Sequence, residues 1–117
     1  MNAYTISKLA GDAEVSIDIV RNYEQKGMLH SCSCTPSGYH IYNSESLDRL
    51  RFILAGKQAG LSLPELTLLC KALDSVDESE AQHRLRSIEH HLEQKLKSIF
   101  DFKRYLHGLR TEIASNI

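Results

Sequence analysis

Helical spacing of apolar residues recurs five times along this chain, and the stretch between the second and third occurrences lacks it. Ile6, Leu9 and Ala10 form the first stripe, with Thr5 as a candidate N-cap and Gly11-Asp12 as the expected turn. Ser16 caps the second helix, whose apolar face is Ile19, Val20 and Tyr23. Val15 and Val20 are spaced for a hydrophobic staple, and Gly27 suits the position just past the end. Two short helices joined by a tight turn make a helix-turn-helix pattern. Residues 30–42 have no helical period. Pro36-Ser37-Gly38 is turn chemistry between strand-formers such as Tyr39, Ile41 and Tyr42, which predicts a β-hairpin acting as a wing. Asn43 then caps a third helix carrying Leu47, Leu50, Ile53 and Leu54, and Gly60 closes it. Ser62-x-x-Glu65 is a capping box for a fourth helix with Leu66, Leu69, Cys70 and Leu73. Asp74 to Glu78 is an acidic, non-periodic break.

Beyond Ser79 the period changes. With Leu85 at position a, the a and d sites are Leu85, Ile88, Leu92, Lys95, Ile99, Phe102, Leu106, Leu109 and Ile113. All but Lys95 are apolar, and Leu96 stands beside that exception. This is a coiled-coil seam. A helix of ~34 residues extends roughly 50 Å, too long and one-sided to bury its seam on a small head. It is expected to pair with a second copy. The fold class expected is mainly α: a winged helix-turn-helix DNA-binding head over 1–78 and a coiled-coil dimerisation helix with a short tail over 79–117. The dimer interface would comprise Leu85, Ile88, Leu92, Leu96, Ile99, Phe102, Leu106 and Leu109.

Composition narrows the function. No apolar run reaches the length of a membrane span, and the start lacks the shape of a signal peptide. Three cysteines, an odd count, fit a reduced cytoplasmic protein. No paired carboxylates, nucleophile–base arrangement or phosphate-cradling glycine loop is present, so no enzyme is expected. Lys plus Arg is 14 and Asp plus Glu is 15, which argues against a generic nucleic-acid-coating protein.

Specific residues sit at each junction. They are Tyr4-Thr5-Ile6-Ser7-Lys8-Leu9-Ala10, Val20-Arg21-Asn22-Tyr23-Glu24-Gln25-Lys26-Gly27-Met28-Leu29, Gly38-Tyr39-His40-Ile41-Tyr42, Leu50-Arg51-Phe52-Ile53 and Gln58-Ala59-Gly60-Leu61-Ser62-Leu63-Pro64-Glu65-Leu66. In this order they resemble the MerR family of transcriptional regulators across nearly the whole chain. Met1-Asn2-Ala3-Tyr4-Thr5, Ile19-Val20-Arg21, Cys34 and Cys70-Lys71-Ala72-Leu73-Asp74 look most like the family's accessory regulators of mercury-resistance operons. The resemblance implies a homodimer with antiparallel long helices, the second helix in a major groove and the wing on the neighbouring backbone. It also implies double-stranded promoter DNA that is bent and untwisted, so that deformation contributes to readout.

The DNA-binding residues so implied are Ser16, Ile17, Asp18, Arg21, Asn22, Tyr23, Lys26, Tyr39 and His40. Arg21 follows core Val20 and faces outward, placed for guanine or a phosphate. Tyr23 and Tyr39 match family tyrosines that touch the DNA backbone, although Tyr23 also lies by the apolar face. Three positions depart from the family pattern. Asp18 repels phosphate yet can accept from cytosine N4, Asn22 replaces an aromatic, and His40 replaces the wing arginine. All three lower the positive charge of the interface, so weak operator binding with a shallow salt slope is expected. Lys8, Arg49, Arg51 and Lys57 are the other basic residues within positions 1–57.

No effector pocket is expected. The resemblance to metal-sensing members would require a cysteine where Glu78 and Ser79 stand, and two more in a loop past the long helix, before which the sequence reaches Ile117. Thiol-reactive members carry a cysteine in the third helix, where this chain has Leu54-Ala55-Gly56. Two readings of Cys32 and Cys34 stay open: small loop residues, one half-buried, or thiolates for a soft ion such as Hg(II) or Cu(I). Cys70 belongs to the fourth helix's core stripe. The helix histidines His83, His90, His91 and His107 fall mostly at outward heptad positions, so no metal and no cofactor is expected. The function expected is a co-regulator or repressor at a mercury-resistance-type promoter, possessing no effector site and open to partnership with a metal-sensing MerR-type regulator. The alternative is a soft-metal or thiol-redox sensor using Cys32 and Cys34.

Overall fold

The computed structural model describes residues 3–116. Met1 and Asn2 of the opening block therefore lie outside the described residues. The chain divides into two units, Met1–Asp77 and Glu78–Ile117. The first holds α1 (Ile6–Asp12), α2 (Ile17–Gln25), β1 (Ser33–Cys34), β2 (His40–Ile41), α3 (Ser44–Gln58) and α4 (Leu63–Leu73). The second is α5 (Glu78–Ser115).

The helix starts follow local chemistry. Thr5, Ser16, Asn43 and Ser62 sit in extended backbone and accept from the N–H groups of Lys8, Ile19, Ser46 and Glu65. Glu65 returns a carboxylate to the Ser62 N–H at 2.9 Å, completing the box. The ends of α2 and α3 use Gly27 and Gly60 at φ 75° and 95°. Each is followed by a residue whose N–H reaches back a full turn, Met28 to Tyr23 O and Leu61 to Gly56 O.

The first turn departs from expectation. Gly11 and Asp12 are still helical, and the turn falls at Ala13 and Glu14. Glu14 takes the left-handed conformation at φ 58°. The backbone forces this, because Glu14 N–H bonds Gly11 O at 3.1 Å and Val15 N–H bonds Ala10 O at 3.0 Å. That closure needs a positive φ at its first residue whatever the side chain.

The wing is a short antiparallel hairpin with Ser33 opposite Ile41 and Cys34 opposite His40. A bridge between Tyr4 and Tyr42, with both N–H···O bonds at 2.8 Å, ties the segment before α1 to the base of the wing. The head's core is fully buried Leu9, Val20, Met28, Leu29, Tyr42, Leu50, Ile53, Leu66 and Cys70.

Arg49 on α3 makes a bidentate pair with Asp74 at the end of α4, at 3.0 and 2.7 Å, and also donates to Met28 O at 3.2 Å. His30 Nε2 lies 3.2 Å from the same carboxylate. Arg49 holds the Asp74 carboxyl below its ordinary value. One residue of the expected break is thus a clamp joining α4, α3 and the segment after α2.

Helix α5 contains no buried residue. Its 38 residues correspond to about 57 Å. Leu85, Ile88 and Leu92 are half-buried, while Leu96, Ile99, Phe102, Leu106 and Leu109 are exposed.

Candidate nucleic-acid interface

The candidate surface is formed by α1, α2 and the wing. Ser16 caps α2 through Oγ, which accepts from Ile19 N–H at 3.3 Å, and the side chain stays at the surface. From the first turn onward the outer face of α2 presents Asp18, Arg21, Asn22, Gln25 and Lys26, all exposed. Ile17 is half-buried beside them. This separation follows from a 3.6-residue period in which Val20 and Tyr23 occupy the inner face.

Across from α2, the hairpin turn is stiffened from within. Thr35 N–H donates to Tyr39 O at 2.8 Å, and Tyr39 N–H donates to Thr35 Oγ1 at 3.0 Å. Gly38 supplies the left-handed φ of 90° that this reversal requires. The Tyr39 side chain projects from the tip, 73% exposed. Between wing and helix runs an open groove of about 670 Å³, walled by Thr5, Ile6, Arg21, Glu24, Gln25, Tyr39, His40 and Tyr42 among others.

Glu24 joins the two walls. Its Oε1 accepts from Tyr42 Oη at 2.6 Å, and its Oε2 is 2.8 Å from His40 Nδ1. Burial, and then the Glu24 carboxylate, push the Tyr42 phenol above its ordinary value, which keeps it a donor. Sequence reasoning passed over Glu24. The available signal was alternation, since His40 and Tyr42 are two apart on an extended strand and so share a face.

Of the expected DNA-binding set, the structure brings Arg21, Tyr39 and His40 to the groove and leaves Ser16, Asp18, Asn22 and Lys26 exposed on the α1–α2 surface. Tyr23 is the correction. It is 2% exposed, locked on the inner face of α2 one turn from Val20, so its side chain belongs to the core. Arg49 is withdrawn from phosphate contact by the Asp74 clamp. Asp18 lies 3.9 Å from Arg21, and Lys8 lies 4.0 Å from Asp12 with its ammonium 5.6 Å from the centre of the Tyr4 ring.

Cys32 and Cys34 are both exposed, which corrects the expectation that one is half-buried. The Cys32 thiol donates to Ile41 O at 3.3 Å, and Cys34 lies in β1 opposite His40. Cys70 is buried, and burial pushes its thiol up. Among the described residues no three His, Cys, Asp or Glu side chains are grouped to hold a metal ion, and no helix is long and apolar enough to cross a membrane.

Known proteins share this arrangement. The family model described as MerR HTH family regulatory protein matches residues 4–73, and that described as MerR, DNA binding matches residues 47–109. The HTH-type transcriptional regulator MerD of Pseudomonas aeruginosa is 40% identical over 99% of this chain and 96% of its own. A MerR family transcriptional regulator from Bacillus thuringiensis superposes with a TM-score of 0.69 at 26% identity, covering 97% of this chain and 98% of that one. The fold is also that of a MerR family regulator lacking the sensor domain, solved bound to promoter DNA. There the TM-score is 0.70 at 23% identity, covering 89% of this chain and 78% of that one. The full-length likeness to MerD agrees with the accessory branch suggested by the sequence. With both halves of the head-and-helix pattern matched, the chain belongs to the MerR family of helix-turn-helix DNA-binding transcriptional regulators.

Proposed function

We propose that this protein is a co-regulator or repressor acting at a mercury-resistance-type promoter as a homodimer. Each head would lay α2 in a major groove and set the wing on the adjacent backbone. The observation that carries this reading is the groove between α2 and the wing, lined by the exposed Arg21 and Tyr39. Likeness to MerD supplies the type of promoter. Leu85, Ile88, Leu92, Leu96, Ile99, Phe102, Leu106 and Leu109 would form the dimer seam. Their exposed or half-buried state on α5 supports that assignment, because an apolar stripe of this length favours a partner helix.

Asp18, Asn22 and His40 leave the interface poor in positive charge, so intrinsic binding is weak and its salt slope shallow. A titration of the purified protein on the mercury-resistance promoter across salt concentrations tests both points. It should be repeated with the operon's main metal-responsive regulator present. Weak binding strengthened by that regulator supports co-regulation. Absence of any footprint with or without it would overturn the proposal, and tight, steeply salt-dependent binding alone would overturn the assisted part of it.

A further inference from the structure

His40 meets Glu24 through Nδ1 alone, at 2.8 Å, while Tyr42 Oη donates to the other carboxylate oxygen at 2.6 Å. An ionised carboxylate has lone pairs and no hydrogen, so Nδ1 must carry the proton between them. In neutral imidazole the other nitrogen is then an acceptor. A phosphate oxygen is an acceptor as well. Neutral His40 held in this tautomer therefore offers the DNA backbone a lone pair facing a lone pair. Only imidazolium, a donor at both nitrogens, can bridge Glu24 on one side and a phosphate on the other. The His40 side chain is 47% exposed and lines the groove, so a phosphate laid against the wing can reach it.

We infer that the wing's hold on DNA is proton-linked: each head takes up a proton at His40 on binding, and Glu24 is the positioning residue that fixes the tautomer. The inference rests on the DNA-reading role proposed above. The charged and titratable groups facing His40 can be named by element. Glu24 and Arg21 on α2 line the groove with it, Glu24 in contact at 2.8 Å. Cys34 on β1 is its cross-strand partner, and Tyr39 and Tyr42 flank it. Tyr42 stays protonated, since its phenol is raised, and so donates to Glu24 across the range concerned. The α1 side of the groove contributes Thr5 and Ile6, which do not titrate. A phosphate arriving at the ring brings a negative charge that favours the protonated form.

The test uses the full chain and a duplex recovered by it from a random library, with affinity measured between pH 6 and 8 at fixed ionic strength. The expected result for the unaltered protein is tighter binding toward acid, rising by up to about tenfold per pH unit for each head engaged. His40→Gln carries a fixed neutral donor and should flatten the profile. Glu24→Gln keeps an acceptor for Tyr42 but can donate to Nδ1. It releases the tautomer and should raise affinity at pH 8 while weakening the pH dependence. An unchanged pH dependence in Glu24→Gln overturns the positioning role of Glu24. Nitrogen chemical shifts of the His40 ring in the free protein at pH 8 should show the hydrogen on Nδ1. A flat profile in the unaltered protein, a slope that survives in His40→Gln, or a hydrogen found on Nε2 overturns the inference. Recovery of no duplex overturns the DNA-reading role along with it, whereas binding with a flat profile overturns the proton linkage alone.

Discussion

The same substitution in two helices of the head should have opposite effects. A Cβ built on Gly56 would sit 2.5 Å from Leu66 Cδ2, 3.4 Å from Leu66 Cδ1 and 3.5 Å from Leu61 Cδ1. Leu66 is fully buried and Leu61 nearly so, leaving the Leu66 side chain nowhere to retreat without moving α4. Overpacking of this kind costs typically about 1–3 kcal/mol, and the short contact argues for the upper end. Alanine returns about 1 kcal/mol of helix propensity over glycine. Gly56→Ala should therefore destabilise by about 2 kcal/mol. Gly11 is also helical, yet a Cβ there meets nothing within 4 Å. Only the propensity gain remains, so Gly11→Ala should stabilise by about 0.5–1 kcal/mol.

Urea unfolding followed by far-ultraviolet circular dichroism, at one fixed protein concentration, measures both. Fixed concentration matters because any self-association adds to apparent stability. A double variant, Gly56→Ala with Leu66→Ala, isolates the contact. Shortening Leu66 alone costs about 2–5 kcal/mol, but the added methyl of residue 56 should then fill part of the void. The two changes together should cost less than their sum by 1 kcal/mol or more, about the size of coupling seen between touching residues. A neutral or stabilising Gly56→Ala, or strict additivity in the double variant, would refute the close α3–α4 approach on which the reasoning stands.

Three further outcomes follow from the same geometry. Tyr23→Phe should leave DNA affinity unchanged, because the ring is buried; a marked loss in a binding titration would restore Tyr23 to the interface. Asp74→Asn should cost about 1–2 kcal/mol in urea unfolding, a figure reduced for the partial exposure of its pair with Arg49. Since the folded-state value of Asp74 is depressed, its contribution is complete above the ordinary carboxylate value and fades as pH falls through the depressed one. The acid limb of a stability-versus-pH curve should therefore be shallower in the Asn variant. Iodoacetamide at neutral pH should modify Cys32 and Cys34 in the native protein and spare Cys70, whose thiol is buried and raised; mass spectrometry of tryptic peptides would show labelled Cys70 if the core assignment is wrong.

Legibility in the sequence follows the range of the interaction that decides each feature. Caps at Ser16, Asn43 and Ser62 need three residues of context, and Gly27 and Gly60 need only their place after an apolar stripe. Glu14 was hidden because its left-handed backbone is dictated by the carbonyls of Ala10 and Gly11, while a glycine nearby looked the better turn former. Glu24 could be placed on α2 but not matched to His40 and Tyr42, which are 16 and 18 residues away. Arg49 is one basic residue among several in the sequence, and its partner Asp74 is 25 residues on. Tyr23 was ambiguous on pattern alone, since an inner-face tyrosine can keep its hydroxyl at a rim, and here the whole residue is buried.

Charge is where these readings converge. Residues 1–57 hold six basic side chains (Lys8, Arg21, Lys26, Arg49, Arg51, Lys57) against six acidic ones (Asp12, Glu14, Asp18, Glu24, Glu45, Asp48). Three of those cations already face a carboxylate, with Lys8 at 4.0 Å from Asp12, Arg21 at 3.9 Å from Asp18 and Arg49 clamped by Asp74. Each neutralised phosphate adds about 0.9 to the salt slope, so a shallow slope is the outcome expected of residues with this charge balance. If binding is as weak as proposed, two sources would strengthen it. One is the sequence-dependent ease of deforming the DNA, which needs no side-chain charge at all. The other is charge acquired on contact, and His40 is placed to supply it because Glu24 withholds its neutral donor until a proton arrives. A weak, conditional hold, as proposed, would suit a regulator whose occupancy is set by what else sits on the promoter.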